Sequence, residues 1–219
     1  HLSGKLDSEV ISRGVPLHKA LEDESLLAFE LNGEPIPLMH GGPLRMVCGG
    51  WPGSVSGKWI TEILLRDRVH DGAKMGGKSY RMPCESVAPG TSVADTEMCI
   101  IESMPVKSLI TFPRSGVNVE VGSRQMIRGQ AWAGDLQVSS MSVSLDFGAT
   151  WQAAELAAPA NRLAWQQWRC EIQLPKSGYY EFWARATDEL GRSQPMLVPG
   201  WNPKGYLNNA SHRIAIHGV

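Results

Sequence analysis

From about Met104 to the end of the chain, short stretches of alternating apolar and polar residues are separated by Gly, Pro, Asn or Asp. Alternation with a period of two is typical of strands that bury one face, and turn residues between strands predict hairpins and corners. This half of the chain predicts an antiparallel sandwich of the immunoglobulin type. The stretches are VNVEV (117–121), MIRGQAWAG (126–134), VSSMSVSLDFG (138–148), TWQAAEL (150–156), AWQQWRCEIQL (164–174) and YYEFWARATD (179–188).

Tryptophans are frequent in the same half of the chain, and their large rings suit the interior of such a fold. We expect them to pack in the core or against the sheets rather than to bind a ligand. A β-sandwich can serve as a binding module, a spacer or a subunit interface, so the fold alone does not choose among these functions. The tryptophans in question are Trp132, Trp151, Trp165, Trp168 and Trp183.

Length and charge restrict the class of protein. The chain has 219 residues, enough for one large domain or two small ones, and we expect two. A net charge of -1 and the lack of a Lys/Arg run give no general field that would attract nucleic acid. The sequence has no apolar stretch of about eighteen residues, which a membrane-spanning helix requires. Nucleic acid and membrane are therefore not expected partners.

The first third of the chain is mixed in character. Residues 15–28 place leucines among charges and predict a short helical turn. The Asn32-Gly33 pair that follows predicts a hairpin turn between two strands. Residues 58–65, KWITEILL, alternate in part and predict a further strand, whereas residues 67–77 predict a polar loop that leads to Tyr80.

The four cysteines are widely spaced, with neither a CxxC pair nor a CxxCH motif. These spacings indicate neither a zinc site nor covalently attached haem. Cys84 and Cys99 are candidates for a disulfide in an oxidising compartment, while buried free thiols are the commoner outcome in a chain of this size. Both alternatives stay open from the sequence. The cysteines are Cys48, Cys84, Cys99 and Cys170.

Residues 40–59, HGGPLRMVCGGWPGSVSGKW, combine glycines and prolines with one histidine and two cations. Glycines allow backbone N–H groups to approach phosphate oxygens, Arg45 offers a planar fork of donors, and Lys58 offers a point charge. This combination predicts a cradle for an anion. The alternative interpretation is a strand followed by a surface loop with two solvated cations.

Several motifs in order resemble the sulfite oxidase family of molybdenum enzymes, in particular its bacterial sulfite dehydrogenase and sulfane dehydrogenase branch. The resemblance extends from about Arg13 to His217. It implies an α+β, mainly β fold, with part of a molybdopterin-binding domain in residues 1–103 and an immunoglobulin-like dimerisation domain in residues 104–219. The motifs are LNGEPIPLMHGGPLR (31–45), GKW (57–59), VSLDFGATW (143–151), GWNPKGYL (200–207) and HRI (212–214).

The resemblance also implies roles for particular residues. Family members use the histidine and arginine of an HGxPxR motif, here His40 and Arg45, to contact the phosphate end of the pyranopterin cofactor. A later triplet contacts the same cofactor and corresponds to Ser56, Gly57 and Lys58.

Two further residues match positions near the substrate. A tyrosine matching Tyr80 lies beside the molybdenum in relatives, although many tyrosines at strand ends only pack with a hydrated tip. Animal and plant relatives have an arginine in the substrate pocket where this chain has Lys204. The lysine keeps the charge but lacks the bidentate fork, so sulfite and a protein-bound sulfane sulfur both remain candidate substrates.

The resemblance implies oxidation of a small oxyanion such as sulfite at a molybdenum–molybdopterin cofactor. It also implies electron transfer to a cytochrome c, a homodimer through the second domain, and a periplasmic location. No cysteine of this chain falls at the position of the family's molybdenum ligand, so we assign no metal ligand. We expect the chain to be the carboxyl-terminal portion of such an enzyme, inactive by itself.

Two alternative functions belong to other classes. The chain could act only as a structural or dimerisation module, which is compatible with the enzymatic hypothesis. It could also be an unrelated β-sandwich that binds a sugar or peptide, which requires an exposed row of aromatic residues and leaves HGGPLR and GKW unexplained.

Overall fold

The computed structural model describes residues 11–72, 75–198, 200–202 and 204–219. The chain divides into two compact units. The first contains the described residues up to Ser103 together with Gly200–Tyr206, and the second contains Met104–Pro199 and Leu207–Val219. The segment Gly200–Tyr206, which the sequence-based division placed in the second domain, therefore packs as part of the first unit.

The first unit has little regular structure and consists of short elements joined by turns. The predicted helical turn is present, and Asn32 and Gly33 form the predicted hairpin turn with φ angles of 55° and 81°. Strands pair antiparallel as β1 with β4, β2 with β3, and β5 with β6 in the following bounds. The elements are α1 (Leu17–Ala20), β1 (Ser25–Ala28), β2 (Glu30–Leu31), β3 (Glu34–Pro35), β4 (Arg45–Cys48), β5 (Arg81–Pro83) and β6 (Met98–Ile100), with 3-10 turns at Leu38–His40, Gly53–Val55 and Asp95–Glu97.

The strand predicted over residues 58–65 is wrong. These residues adopt no helix or strand, and Ile63, Leu64 and Leu65 are exposed. A strand needs a neighbour to accept and donate its backbone hydrogen bonds. Within the described part of the chain no strand pairs with this segment, so its apolar alternation is not sufficient to form one.

The second unit contains one eight-stranded sheet in the order β7-β9-β12-β11-β10-β13-β14-β8. Neighbouring strands are antiparallel except for β14 and β8, which are parallel. Six of these strands coincide with the alternating stretches of the sequence, with β9 and β13 beginning one or two residues earlier, whereas β7 and β14 were not predicted. The strands are β7 (Lys107–Phe112), β8 (Val117–Val119), β9 (Arg124–Trp132), β10 (Val138–Ser144), β11 (Gln152–Leu156), β12 (Gln166–Gln173), β13 (Gly178–Asp188) and β14 (His212–Gly218).

The sheet curls around a single hydrophobic core. Alternate residues of its strands point inward, so that Ile127, Trp168, Phe182 and Ile216 are packed together and buried. The side chain of His212 on β14 accepts a hydrogen bond at Nδ1 from the backbone N–H of Ile110 on β7, at 2.9 Å. This bond links β7, at one end of the strand order, to a strand near the other end. The mainly β prediction is confirmed, and the immunoglobulin subtype stays a prediction.

The tryptophans of this unit occupy two environments. Trp168 and Trp183 are 2% and 5% exposed, as expected for structural residues. Trp165 is 59% exposed and lies outside the core, so of the two predicted environments it has the one against the sheet. Its ring stacks on that of Trp132 with centroids 4.5 Å apart. Trp165 lies just before β12, where the inward and outward alternation does not yet apply.

Candidate functional site

The residues predicted to form an anion cradle are brought together by hydrogen bonds between two loops of the first unit. The Trp59 N–H donates to the carbonyl of Gly41 at 3.1 Å, and the Met46 N–H donates to the carbonyl of Gly57 at 2.8 Å. The indole of Trp59 donates to the carbonyl of Leu38 at 2.7 Å. We call residues 38–42 and 56–59, together with Arg45, the cation loop pair.

Arg45 holds the two loops of the cation loop pair together. Its Nη1 donates to the carbonyl of His40 at 2.8 Å and its Nη2 donates to the carbonyl of Ser56 at 3.3 Å. Each of these nitrogens carries a second N–H. Nε is buried and has no hydrogen-bond partner among the residues that the structure describes, which is unusual for a buried polar atom. The guanidinium therefore braces the loops and keeps donors for a further acceptor.

Lys58 and His40 lie at the exposed side of the same loops. The Lys58 ammonium donates to the carbonyl of Met39 at 2.8 Å and lies 5.5 Å from the centroid of the Trp59 ring. A lysine carries three N–H donors, so this single bond leaves others for a ligand. The His40 side chain is exposed. In the described ranges, its imidazole makes no hydrogen bond.

The backbone N–H groups of residues 40–42 already bond to carbonyls of the same turn. The N–H groups of His40 and Gly42 donate to the carbonyl of Pro37, and that of Gly41 donates to the carbonyl of Leu38. The glycines instead permit close packing. Gly41 has a φ of 106°, and a Cβ there would lie 2.8 Å from Cγ of Lys58. Anion binding at residues 40–42 would therefore rest on side chains rather than on backbone amides.

A small apolar cluster lies beneath these residues. Cys48, Trp51 and Val55 are buried together, with Met46 and Val15 packed against them. The Cys48 N–H donates to Oγ of Ser56 at 3.0 Å, so Ser56 supports β4. Burial raises the pKa of the Cys48 thiol, although the nearby Lys19 charge acts in the opposite direction. The Cys48 thiol therefore packs inside this apolar cluster.

Tyr80 immediately precedes β5 and contacts two other side chains of the first unit. Its ring stacks on the ring of Tyr206, with centroids 5.6 Å apart and an interplanar angle of 17°. The guanidinium carbon of Arg13 lies 4.8 Å from the centroid of the Tyr80 ring. The pairing of β5 with β6 fixes this position, and a disulfide between Cys84 and Cys99 crosslinks the same two chain segments.

Lys204 is presented by a tight turn. The side chain of Asn202 accepts from the N–H of Lys204 and donates to the carbonyl of Tyr206, both at 3.0 Å. The Trp201 N–H donates to the carbonyl of Val87 at 3.1 Å. Lys204 is exposed and is separated by two positions from Tyr206, the residue that stacks on Tyr80. The structure thus brings the turn of Lys204 to Tyr80, while each prediction of a role remains a hypothesis.

Protein-family models match most of this chain. Residues 98–219 match the dimerisation domain of Mo-co oxidoreductases, and residues 2–74 match the molybdopterin-binding domain of oxidoreductases. The mitochondrial sulfite oxidase of Homo sapiens is 36% identical over 213 residues, which cover 93% of this chain and 38% of that protein. The chain belongs to the sulfite oxidase family of molybdopterin oxidoreductases. The family expected from the motifs is thereby confirmed.

Two further proteins are similar to this chain over most of its length. The crystal structure of the sulfane dehydrogenase SoxCD from Paracoccus pantotrophus is 28% identical, with a TM-score of 0.75, covering 91% of this chain and 50% of that chain. An inducible NADH nitrate reductase of Glycine max is 31% identical, covering 86% of this chain and 23% of that protein. The chain thus spans half or less of the length of each of these proteins.

Family membership implies a molybdenum–molybdopterin cofactor, and the cation loop pair fits one end of it chemically. A phosphate prefers several charged donors, and Arg45 and Lys58 supply a guanidinium and an ammonium with N–H groups remaining after their bonds to carbonyls. The buried Nε of Arg45 lacks an acceptor in the part of the chain that is described. No group of three or more His, Cys, Asp and Glu able to hold a metal occurs there either.

Sequence reasoning missed two residues of this site. Tyr206 lies inside the GWNPKGYL motif, but only the lysine of that motif was given a role. Arg13 was used only to mark where the resemblance begins. Neither contact with Tyr80 can be read from spacing, because residues 13, 80 and 206 are far apart in the chain.

No helix among the described residues is long and apolar enough to cross a membrane.

Proposed function

We propose that this chain is part of an enzyme that oxidises sulfite, or a protein-bound sulfane sulfur, at a molybdenum–molybdopterin cofactor. The observation that carries the proposal is the stacking of Tyr206 on Tyr80. It attaches the turn of Lys204 to the residue that corresponds to the family's active-site tyrosine. An aromatic stack between distant parts of the chain is expected where two side chains must be held in register.

Arg45 and Lys58 hold the phosphate end of the cofactor in this proposal, with His40 at the exposed edge. Ser56 and Gly57 shape the second loop through their bonds to β4. When bound, the molybdenum centre supplies an oxygen atom and accepts the two electrons released as sulfite becomes sulfate. The protein groups bind and orient the cofactor rather than take part in that transfer.

Tyr80 and Lys204 act on the substrate. The phenol O–H donates a hydrogen bond to an oxygen of the bound anion, and the ammonium stabilises the negative charge of substrate and product. Among the described residues, neither the Tyr80 phenol nor the Lys204 ammonium bonds to a carboxylate. Both groups are therefore available to an anion. Because Lys204 lacks the arginine fork of animal and plant relatives, the proposal covers sulfite and sulfane substrates alike.

None of the four cysteines suits the role of molybdenum ligand. Cys84 and Cys99 form a disulfide, Cys48 is buried under β4, and Cys170 lies on β12 in the second unit. A thiolate ligand must therefore come from outside these four residues. We propose that the chain by itself is inactive and that activity belongs to the complete gene product.

The partners and location follow the same family reasoning. Residues 104–219 form a homodimer, which is supported by the match to a dimerisation domain. Electrons pass to a cytochrome c. The Cys84–Cys99 disulfide supports an oxidising compartment such as the periplasm, because structural disulfides persist in such compartments.

Sulfite-dependent reduction of a cytochrome c by the complete gene product, produced with sufficient molybdenum, tests the proposed function. We expect reduction that depends on both sulfite, or a sulfane donor, and protein. Protein that contains pterin and molybdenum yet reduces no acceptor with either substrate would contradict the proposal.

A further inference from the structure

Arg185 on β13 has a charged side chain whose donors are not used within the second unit. The residue is half-buried, and its Nε is buried without an acceptor. A guanidinium carries five N–H donors, and among the described residues those of Arg185 form neither a hydrogen bond nor an ion pair. Folded proteins rarely leave such a group unpaired, because an unpaired buried donor costs free energy. The side chain therefore indicates a ligand.

Trp151 supports the guanidinium of Arg185 from one side. The guanidinium carbon lies 3.9 Å from the centroid of the Trp151 ring, which is the distance of a cation–π contact. The Trp151 indole donates to the carbonyl of Gly148 at 3.0 Å, and the Gly148 N–H donates to Oγ of Ser144 at 2.9 Å. The turn between β10 and β11 thus fixes the ring, and with it the position of the positive charge, before any ligand binds.

Two serines flank Arg185 on the same face of the sheet. β13 lies between β10 and β14, and Ser142 of β10 is the register partner of Arg185. On the other side Ala184 pairs with His212, so Ser211 takes the next position, beside Arg185. Facing residues of neighbouring strands have Cβ atoms about 5 Å apart. Ser211 is 7% exposed, and its Oγ is buried without a partner among the described residues.

The charges on this face of the sheet favour an anion at Arg185. Arg213 on β14 lies with its guanidinium carbon 5.1 Å from the centroid of the Trp183 ring, and Trp183 neighbours Arg185 on the same face of β13. Glu181, further along β13, accepts from the Trp183 indole at 2.9 Å and from the Tyr179 hydroxyl at 3.0 Å. Within the described residues no carboxylate neutralises Arg185, so the positive potential around it is available to a ligand.

We propose that Arg185, Ser142 and Ser211 form a binding site for one small tetrahedral oxyanion, such as sulfate or phosphate. The guanidinium supplies a planar fork of donors that matches two oxygens of one anion. The hydroxyls on either side of it supply donors for the remaining oxygens. A carboxylate has only two oxygens, which the fork satisfies without the serines. The inference goes beyond the proposed function, because this site requires neither the cofactor nor turnover.

Titration calorimetry of the complete gene product with sulfate and with phosphate, at an ionic strength held constant with chloride, tests the site. The parent is compared with Arg185→Gln, Arg185→Lys and the control Arg124→Gln, which removes an exposed positive charge from the same unit. For Arg185→Gln we expect the affinity for one anion to fall about ten- to a hundredfold, the effect of losing charge-assisted hydrogen bonds. Arg185→Lys should lose less affinity, and Arg124→Gln should match the parent. The anion that the parent binds more tightly is the ligand.

The variant Ser211→Ala separates anion binding from a structural role of the serine. Without an anion the hydroxyl is buried and unpaired, so its removal should leave the melting temperature unchanged or raise it. With increasing concentrations of the tighter-binding anion, the parent should gain more stability than the variant, because only the parent keeps the full set of donors. A difference in melting temperature that is the same at every anion concentration would show that Ser211 does not contact the anion.

Crystals of the parent and of Arg185→Gln soaked in selenate locate the anion through the anomalous scattering of selenium. We expect a peak within hydrogen-bonding distance of Arg185 in the parent and none in the variant. Water alone at Arg185, equal anion affinity in the parent and Arg185→Gln, or a selenate peak without affinity in solution, which is binding at crystal concentration only, would overturn the inference. Weaker dimerisation of Arg185→Gln with unchanged anion binding would also overturn it, because Arg185 would then contact the second subunit. If Arg185→Gln does not fold, the comparison of Arg185→Lys with Arg124→Gln decides the question.

Discussion

Tyr80 has a φ of 53°, a backbone conformation that bulky residues seldom adopt. Such a conformation costs about 1–3 kcal/mol and persists only where the surroundings enforce it. Here the contacts with Arg13 and Tyr206 fix the ring, and the Tyr80 carbonyl accepts a hydrogen bond from the N–H of Ile101 at 3.2 Å. A tyrosine held in a strained backbone conformation, beside Arg13 and the turn of Lys204, is consistent with a role in substrate binding or catalysis.

Removing the phenol oxygen tests that role without removing the ring. We expect Tyr80→Phe to lower kcat/KM for sulfite by about tenfold or more, because a positioned proton donor contributes that much or more. Lys204→Ala should raise KM by weakening attraction of the anion. Steady-state kinetics of the complete enzyme measures both, with the exposed Tyr179→Phe in the second unit as control. Unchanged kinetics in a protein carrying both site changes would refute these roles.

His212 is expected to make the stability of the second unit depend on pH. Burial lowers the pKa of its imidazole, and the nearby Lys107 charge lowers it further. Nδ1 accepts from the backbone N–H of Ile110, so the folded protein favours the neutral ring. Because the unfolded chain binds a proton more readily, this contribution to stability is complete above about pH 6.5, the ordinary histidine value, and decreases as pH falls toward the folded pKa.

The expected outcome is a lower free energy of unfolding at pH 5 than at pH 8. Replacement by glutamine keeps an oxygen that can accept the Ile110 N–H but cannot titrate. Urea denaturation of the second unit at both pH values should therefore show a weaker pH dependence for His212→Gln than for the parent. An identical dependence in both proteins would show that His212 is not responsible.

At the scale of elements, the sequence predicted strands well where alternation coincided with a partner. The alternating stretches form β8 to β13 because each of these strands meets others around one core. The segment 58–65 has a similar pattern but no described neighbour, so it forms no strand. β7 and β14 were missed even though KSLITF and HRIAIHG are rich in apolar residues, because the flanking turns were not used as boundaries.

The disulfide Cys84–Cys99 stabilises the element that carries Tyr80. It closes a loop with a sequence separation of 15 residues next to the β5–β6 pair. Replacing both cysteines by serine should lower the free energy of unfolding of the first unit by about 3 kcal/mol, the chain-entropy value for a loop of this size. Hydrogen exchange of the β5 and β6 amides measures the change.

The matched control is Cys170→Ser on β12, which leaves the disulfide in place. We expect it to leave exchange in β5 and β6 unchanged. Equal protection of these strands in the parent and in the variant without the disulfide would contradict a stabilising role of the crosslink at Tyr80.

The candidate site was only partly predictable from sequence. The order of His40, Arg45 and Lys58 along the chain indicated an anion site, and the structure brings their loops together. The N–H groups of residues 40–42 bond to carbonyls of their own turn, which the sequence did not indicate, because the path of the turn at 37–42 determines where each N–H points. Contacts such as that of Arg13 with Tyr80 depend on the tertiary fold, which local sequence patterns do not reveal.

For the whole molecule, the two units differ in how much apolar surface they bury. The second unit has one continuous core around Ile127, Trp168 and Phe182, whereas the described cluster in the first unit centres on Cys48, Trp51 and Val55. Residues 58–72 have no regular structure and include exposed leucines. Local opening is easiest where few apolar contacts are made.

Limited proteolysis of the chain should therefore cut between residues 58 and 72 before it cuts the eight-stranded sheet. The expected product is a resistant fragment that contains residues 104–198 and the end of the chain, identified by mass spectrometry over time. Early cleavage within β9 to β13 with survival of the first unit would contradict this assignment of stability.

The pterin content of the purified protein shows whether Arg45 and Lys58 hold the phosphorylated end of molybdopterin. The complete gene product, expressed with sufficient molybdenum, is compared with its Arg45→Ala/Lys58→Ala variant and with Arg68→Gln as a charge control, using the fluorescence of the released and oxidised pterin. We expect near-stoichiometric pterin in the parent and the control and a strong loss of pterin in the double variant. Absence of pterin from the folded parent, or its full retention in the double variant, would show that these two cations do not hold the cofactor.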